Sequence, residues 1–181
     1  TFGNNGFYLP FTTAAGLGQD YSGSTASTMV QTNTDTTNNE INNGDMSGVT
    51  FCQRYTALAT SKVTSIKWHK SSRGFTNVTT LVQQDDGTGQ APTGTTLTNG
   101  EVTDIDSSGS GYVTVTFPNG GVDVVAGTNY WFCLPSTGIT GLEWGVSNDH
   151  DGSTGASVSI TNSGFSTSRG VGHQIFQTGN I

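Results

Sequence analysis

Residues 122–134 read VDVVAGTNYWFCL, and they join a tight turn to an alternating strand. The turn lies at Ala126-Gly127-Thr128. Beyond it, apolar side chains recur at every second position, at Tyr130, Phe132 and Leu134. A period of two places successive side chains on opposite faces of a strand. The stretch therefore predicts a β-strand with one face directed into a core.

The same alternation recurs along most of the chain after residue 46. It is clearest in residues 49–55, 64–69, 78–82 and 113–117, and shorter strands are expected at 139–146, 156–160 and 171–176. Gly, Asn, Asp and Ser separate these segments, as expected for turns between strands. The pattern predicts an all-β fold, a two-sheet antiparallel β-sandwich over residues 47–181. A closed barrel is the alternative.

The composition excludes several classes of function. The formal net charge is −7, with only six Lys and Arg residues, whereas 31 Thr, 19 Ser and 14 Asn give the chain its polarity. Nucleic acids and anionic membranes are recognised by clustered basic residues, so we expect neither as a partner. No apolar run approaches the roughly 20 residues of a membrane-spanning helix, which predicts no membrane insertion.

Residues 1–46 differ from the rest and predict an extended N-terminal arm. Gly16 to Asp45 is polar and lacks apolar periodicity, so we expect it to form no regular element. An aromatic cluster near the start would anchor the arm, and it consists of Phe2, Phe7, Tyr8 and Phe11. A disordered linker is the alternative. Because the chain begins at Thr1, either a segment was removed or the sequence belongs to a longer protein.

The order of these segments resembles a recurrent jelly-roll-like β-sandwich of surface, adhesion and virion proteins. The resemblance runs from Phe51 to Leu134 and is carried by FCQRY, VTSIKWHK, NVTTLVQQDDG, APTG with Leu97, YVTVTFP and VVAGTNYWFCL. It implies a jelly-roll-like sandwich and specifies no activity. In this pattern QQDDGTGQAPTG is a turn-rich loop.

The arm resembles the openings of domains in bacteriophage tail-fibre and other virion proteins. The resemblance rests on GNNGFYLPF, followed by residues 18–23, GQDYSG. It implies a viral origin. The related proteins usually continue into a lectin-like domain, and this sequence departs from them after Gly23, so their glycan-binding role is not carried over.

The pattern of reactive residues predicts that the protein is not an enzyme. Nucleophilic catalysis needs a nucleophile, a base and an orienting group. The three histidines, His69, His150 and His173, are dispersed, and no nucleophile elbow is present. Glycosidases need two placed carboxylates, and the three glutamates have no such setting.

A structural Ca²⁺ ion is the one cofactor that the sequence suggests. Asp149 and Asp151 stand two residues apart before a glycine, as in loops that bind hard cations. Asp85-Asp86 and Asp104 with Asp106 form similar pairs. Asp-rich turns also form without metal, because the carboxylates accept hydrogen bonds from their own backbone.

Glycan binding requires exposed aromatic rings beside polar groups. Trp131 and Trp144 are the candidates, with Trp131 on the face of its strand opposite Tyr130 and Phe132. Burial in the core is the alternative for each tryptophan.

The two cysteines, Cys52 and Cys133, leave two states open. They form a disulfide if their strands are neighbours, which a jelly roll allows. In a virion assembled in the cytosol they would more often stay reduced.

These observations favour a non-enzymatic structural protein of a virion surface, of the tail-fibre or capsid-decoration type, which assembles through its N-terminal arm. Its partners would be further copies of itself or other virion proteins, docked through the arm in cis or in trans. The alternatives are a receptor-binding adhesin that recognises host surface glycan and a subunit of an extracellular filament. Each of these places the protein on a virion surface or outside the cell.

Overall fold

A computed structural model describes the greater part of the chain. The described residues are 26–33, 39–40, 50–70, 75–109, 111–135, 145–147, 157–161, 164–166 and 170–179. They contain a single short 3-10 turn at Pro118–Gly120, and none of their helices is long and apolar enough to cross a membrane. The remainder of the described structure is built from strands and their connections.

Fourteen strands lie within the described residues. In chain order they are β1 (Ser27–Asn33), β2 (Asn39–Glu40), β3 (Thr50–Thr56), β4 (Ser61–Lys70), β5 (Phe75–Asp85), β6 (Pro92–Ser107), β7 (Gly111–Thr116), β8 (Val122–Val124), β9 (Asn129–Pro135), β10 (Gly145–Ser147), β11 (Ser157–Thr161), β12 (Gly164–Ser166), β13 (Gly170–Val171) and β14 (His173–Thr178).

These strands form two large antiparallel sheets, which confirms the predicted all-β sandwich. The five-stranded sheet has the order β1-β14-β4-β7, with β8 also paired to β4. The six-stranded sheet has the order β12-β11-β3-β9-β5-β6. A small third sheet has the order β13-β10-β2.

The core lies between the two large sheets and follows from the alternation in the sequence. Tyr130, Phe132 and Leu134 of β9 point into it, as predicted, and all three are buried. The ring of Phe132 contacts Tyr55 and Phe117, with centroids 6.2 and 6.1 Å apart. Other buried members are Val63, Ile66, Trp68, Val78, Val82, Val115, Val122, Val124 and Ile175. Burial of this apolar surface is the main source of stability.

The expectation that residues 16–45 form no regular element is wrong for Ser27–Asn33. These residues form β1, which pairs with β14 from Ser27 opposite Thr178 to Asn33 opposite His173. The segment has little apolar character, but an edge strand is held largely by its backbone hydrogen bonds and needs few core side chains. The expectation is also wrong for Asn39–Glu40, which form β2 in the small third sheet. The longer described segment of the arm, β1, is therefore a strand of the sandwich.

Strand β6 also departs from the sequence interpretation, which placed a loop through residue 94. The strand already begins at Pro92. Its pairing with β5 shifts register four times, and Asn99 and Asp104 have positive φ angles of 62° and 56°. Such bulges break the alternation on which strand prediction depends.

Candidate functional site

The candidate site is the place where β1 joins the sandwich, because β1 is the longest described segment of the predicted arm. Within the described residues, β1 has β14 as its single strand neighbour and is an edge of the five-stranded sheet. The pairing is antiparallel and shifts register between Met29 and Gln31, opposite Phe176 and Ile175. A bulge at this point leaves Val30 without an opposed residue and fixes the register.

The side chains of β1 divide between core and solvent. Val30 packs against the buried core, whereas the side chain of Met29 is 47% exposed. At the start of the strand, the hydroxyl of Ser27 lies 2.6 Å from the hydroxyl of Thr64 on β4. Few apolar contacts therefore hold this strand, and its backbone pairing supplies most of its attachment.

Gln31 is the polar anchor of β1, and it reaches the opposite sheet. Its Nε2 atom donates a hydrogen bond of 3.1 Å to the main-chain oxygen of Arg54 on β3. The same atom lies 3.2 Å from Nε2 of His173, which is buried on β14. Gln53 donates to that same Arg54 oxygen at 2.9 Å. Buried polar groups such as these give a specific arrangement because each one must be satisfied.

A second buried polar cluster lies further along β14, at Gln177. The hydroxyl of Tyr55 donates to Oε1 of Gln177, and Nε2 of Gln177 donates to the oxygen of Ala59 at 2.6 Å. Nε2 also lies 2.7 Å from the hydroxyl of Ser61. Burial raises the pKa of Tyr55 from its ordinary value of 10.0, although a hydrogen bond from the backbone N–H of Leu58 opposes this effect. The cluster ties β14 to the beginning of β4.

The aromatic residues predicted to anchor the arm lie outside the described residues. They are Phe2, Phe7, Tyr8 and Phe11, and their role stays a prediction. Sequence reasoning missed Gln31 and Val30, because a single valine in a polar segment gives no periodic signal. The side-chain contacts of these two residues depend on strands more than 20 residues away.

Trp131 does not provide a glycan-stacking surface, because its side chain is 0% exposed. It lies on the outer face of the six-stranded sheet, as predicted, but Cys52, Cys133 and Leu81 pack around it in a separate small cluster. Its indole N–H donates a hydrogen bond of 2.8 Å to Oδ2 of Asp85. Trp144, the other candidate, lies outside the described residues.

The turn between β5 and β6 is organised by two carboxylates. Oδ1 of Asp85 accepts hydrogen bonds from the backbone N–H groups of Gly87 and Gly89, at 2.8 and 2.9 Å. Oδ1 of Asp86 accepts from the N–H and the hydroxyl of Thr88. These bonds lower the pKa of Asp86. The guanidinium of Arg54 donates to the Gly89 oxygen. Asp85 and Asp86 thus act as turn-forming residues.

The other two carboxylate pairs predicted from the sequence, Asp104 with Asp106 and Asp149 with Asp151, lie outside this turn. Oδ1 of Asp106 accepts a 2.9 Å bond from the N–H of Asn77, and Oδ2 of Asp104 accepts one of 3.0 Å from the hydroxyl of Thr103. Among the described residues, no three of His, Cys, Asp and Glu lie close enough to hold a metal ion. Asp149 and Asp151 lie outside those residues, so a Ca²⁺ site there stays a prediction.

Cys52 and Cys133 form a disulfide, which decides between the two states that the sequence left open. The cysteines stand directly opposite each other on β3 and β9. Both are almost fully buried, with 1% of each residue exposed. The link closes a sequence separation of 81 residues and joins two neighbouring strands of the six-stranded sheet.

Comparisons with known proteins place few constraints on the site. No protein-family model and no curated protein matches this sequence. Among solved structures, the chain is similar to the cysteine protease and lectin-like domains of Cwp84, a surface layer associated protein of Clostridium difficile. The TM-score is 0.47 and the sequence identity 14%, and the match covers 73% of this chain and 32% of that one. The present chain thus spans about a third of that structure, and a likeness at this level carries no functional argument.

Proposed function

We propose that the protein is a non-enzymatic structural subunit on a virion surface or outside the cell, and that it assembles through its N-terminal arm. The observation that carries this proposal is the position of β1. This part of the arm pairs with β14 at the edge of the sandwich and crosses to the second sheet through Gln31. Strand addition at a sheet edge is a common means of joining protein subunits.

The reactive side chains of the described residues support a non-enzymatic role. Both cysteines are used in the disulfide. His173 is buried against Gln31 and Trp68, and His69 packs against the ring of Tyr112 with centroids 5.0 Å apart. Each of these groups contributes to the packing of the sandwich.

The disulfide favours a location, or a final step of assembly, in an oxidising environment. Such bonds persist outside the cytosol and are rare within it. This observation supports a second candidate, a subunit of an extracellular filament, which uses the same arm and the same strand edge. The two candidates share the mechanism of assembly and differ in the particle that is built.

Trp131 is not available for the glycan-binding alternative, because it is fully buried. This alternative now depends on Trp144 and on cation ligands at Asp149 and Asp151. A receptor-binding adhesin is therefore an outcome of the experiment below, and no contact of the described residues favours it.

The test is the mass in solution, measured by light scattering after size exclusion, for the full chain and for a chain that lacks residues 1–25. This deletion removes the aromatic cluster and leaves β1 in place. We expect the full chain to assemble and the shortened chain to be a monomer. A variant with Phe2→Ala, Phe7→Ala, Tyr8→Ala and Phe11→Ala should behave like the deletion.

The matched control is a variant with Asn4→Ala and Asn5→Ala, which changes polar residues of the same segment and should still assemble. The same number of copies per particle for the full chain and the shortened chain would overturn assembly through the arm. If both are monomers and the full chain binds host-surface glycans in a screen, the adhesin alternative replaces the proposal.

A further inference from the structure

We propose that β1 is an exchangeable strand, so that β1 of one copy of this chain occupies the place beside β14 of a second copy. The place, here called the β1 slot, is formed by β14, the main-chain oxygen of Arg54 and the hydroxyl of Thr64. The inference rests on the proposed function, because it specifies how residues 1–25 reach the neighbouring subunit. The exchanged β1 docks there and carries them across, and stable assembly needs the contacts of both segments.

The contacts of β1 are the same whichever copy supplies the strand. They consist of the antiparallel pairing with β14, the packing of Val30 and the hydrogen bonds of Gln31. Exchange of an identical element between subunits creates and destroys the same interactions, so its free energy depends mainly on concentration and on the connecting chain.

The slot is specific for this segment of the chain. The register shift between Met29 and Gln31 aligns Gln31 with the Arg54 oxygen, 3.1 Å away, and with His173. A displacement of one residue would turn Val30 away from the core and Gln31 away from its partners. A second copy of this chain supplies the matching sequence, which an unrelated strand does not.

The attachment of β1 allows it to leave its own domain. It is an edge strand with one described neighbour, and Val30 is the hydrophobic residue of β1 that packs against the buried core cluster. Residues 34–49 connect it to β3 and include β2, so exchange also separates β2 from Gly145 and Val146 of β10. A segment of this length spans at most roughly 50 Å when extended, which is enough to reach an adjacent domain of this size.

Exchange becomes favourable where copies are crowded. A tether of this kind holds β1 at an effective concentration on the order of millimolar in its own domain. A neighbouring copy competes when its own concentration is comparable, as in a lattice or a filament. Residues 1–25 precede β1, so an exchanged strand also carries the aromatic cluster to the neighbouring subunit.

The test uses cysteines at an opposed, outward-facing pair, Met29 and Phe176. A full-length Met29→Cys chain is mixed with a full-length Phe176→Cys chain of different tag mass, at millimolar concentration, and a mild oxidant is added. We expect a disulfide-linked heterodimer, because opposed side chains in a sheet have Cβ atoms about 5 Å apart.

The control for random collision replaces the second partner by Tyr112→Cys. Tyr112 is 40% exposed and lies on β7, at the other edge of the sheet. We expect the matched pair to give about tenfold more heterodimer than this control. Equal yields overturn the inference. Should Phe176→Cys fail to fold, the opposed pair Ser27→Cys and Thr178→Cys takes its place.

A single chain with both Met29→Cys and Phe176→Cys separates this inference from the proposed function. When this double variant is oxidised in dilute solution, the new disulfide holds β1 in its own domain. We expect the variant to assemble only after this disulfide is reduced. If the locked chain assembles as well as the reduced one, while deletion of residues 1–25 abolishes assembly, strand exchange is wrong and the arm-dependent function stands. If the deletion has no effect, the proposed function itself fails.

Discussion

The indole nitrogen of Trp131 lies 2.8 Å from Oδ2 of Asp85, and this contact attaches the β5–β6 turn to the outer face of the six-stranded sheet. The other oxygen of Asp85 accepts two backbone N–H groups of the same turn. The Asp85 carboxylate therefore stabilises the turn and also holds the side chain of Trp131 in place. An outer face that would otherwise be solvated becomes a second small core around the disulfide.

Replacement Asp85→Asn should destabilise the protein by about 1–3 kcal/mol, because an amide supplies only one acceptor oxygen and leaves a hydrogen bond of the turn or of the indole unmade. Chemical denaturation measures the loss. The matched variant Asp86→Asn changes a neighbouring, solvent-exposed carboxylate that bonds only within the turn. We expect this variant to change the free energy of unfolding much less than Asp85→Asn does. Equal losses for the two variants would contradict the distinct role of Asp85.

The alternation in the sequence was sufficient to predict the sandwich and the inward face of β9, but not what covers the outward face. Trp131 is buried because Cys52, Cys133 and Leu81 pack around it and Asp85 accepts the hydrogen bond of its indole N–H. A period of two contains no information about such contacts. The turn-forming role of Asp85 is predictable from the sequence, since Asp-Asp-Gly-Thr-Gly is typical of turns in which carboxylates accept backbone hydrogen bonds.

Strand β1 was not predictable in this way. Its sequence, STMVQTN, is polar, and it becomes a strand because β14 offers an unpaired edge and Arg54 an acceptor for Gln31. Those partners are distant in sequence. The sequence likewise does not decide whether Cys52 and Cys133 form a disulfide, because the register that opposes them is a property of the folded sheet.

Removal of the disulfide should lower the free energy of unfolding by about 2–4 kcal/mol, since the link constrains a long loop of the unfolded chain. The variant with Cys52→Ala and Cys133→Ala tests this by urea denaturation. Wild-type protein unfolded and refolded under reducing conditions provides the comparison and should show a loss of similar size. A double variant as stable as the oxidised wild type would show that the link is not a source of stability.

The stability of the protein should fall as the pH rises above 10, partly because of Tyr55. Burial raises the pKa of this hydroxyl in the folded state, so the folded protein holds the proton more tightly than the unfolded chain. Its contribution is therefore complete below pH 10 and is lost as the pH rises through the folded-state pKa.

Tyr55→Phe removes this dependence and leaves Gln177 without its donor, at a cost of about 1–3 kcal/mol at neutral pH. The difference from wild type should narrow above pH 10, as followed by denaturation at several pH values. Tyr112→Phe is the control. Burial raises the pKa of Tyr112 as well, but this residue is 40% exposed, so we expect its replacement to change the pH dependence of stability less than Tyr55→Phe does. A constant difference between Tyr55→Phe and wild type across this range would contradict the assignment.

The effect of arm deletions on the melting temperature should depend on whether the deletion extends beyond residue 26 into β1. A chain without residues 1–25 retains β1 and should melt within a few degrees of the full chain. A chain without residues 1–33 loses the pairing with β14, the packing of Val30 and the bond from Gln31 to Arg54. A loss of a few kcal/mol follows, and it corresponds to a decrease in Tm of roughly 10 °C for a domain of this size.

The longer deletion also leaves the β1 slot empty and the edge of β14 unpaired, which favours association with any available strand. A synthetic peptide with the sequence of residues 26–33 should restore the Tm of this deletion when added in excess, because a ligand that binds only the folded state stabilises it. A peptide with Val30 and Gln31 exchanged in order is the control and should restore little. Equal Tm values for the two deletions would show that β1 contributes nothing to the sandwich, and strand exchange would then have no energetic basis.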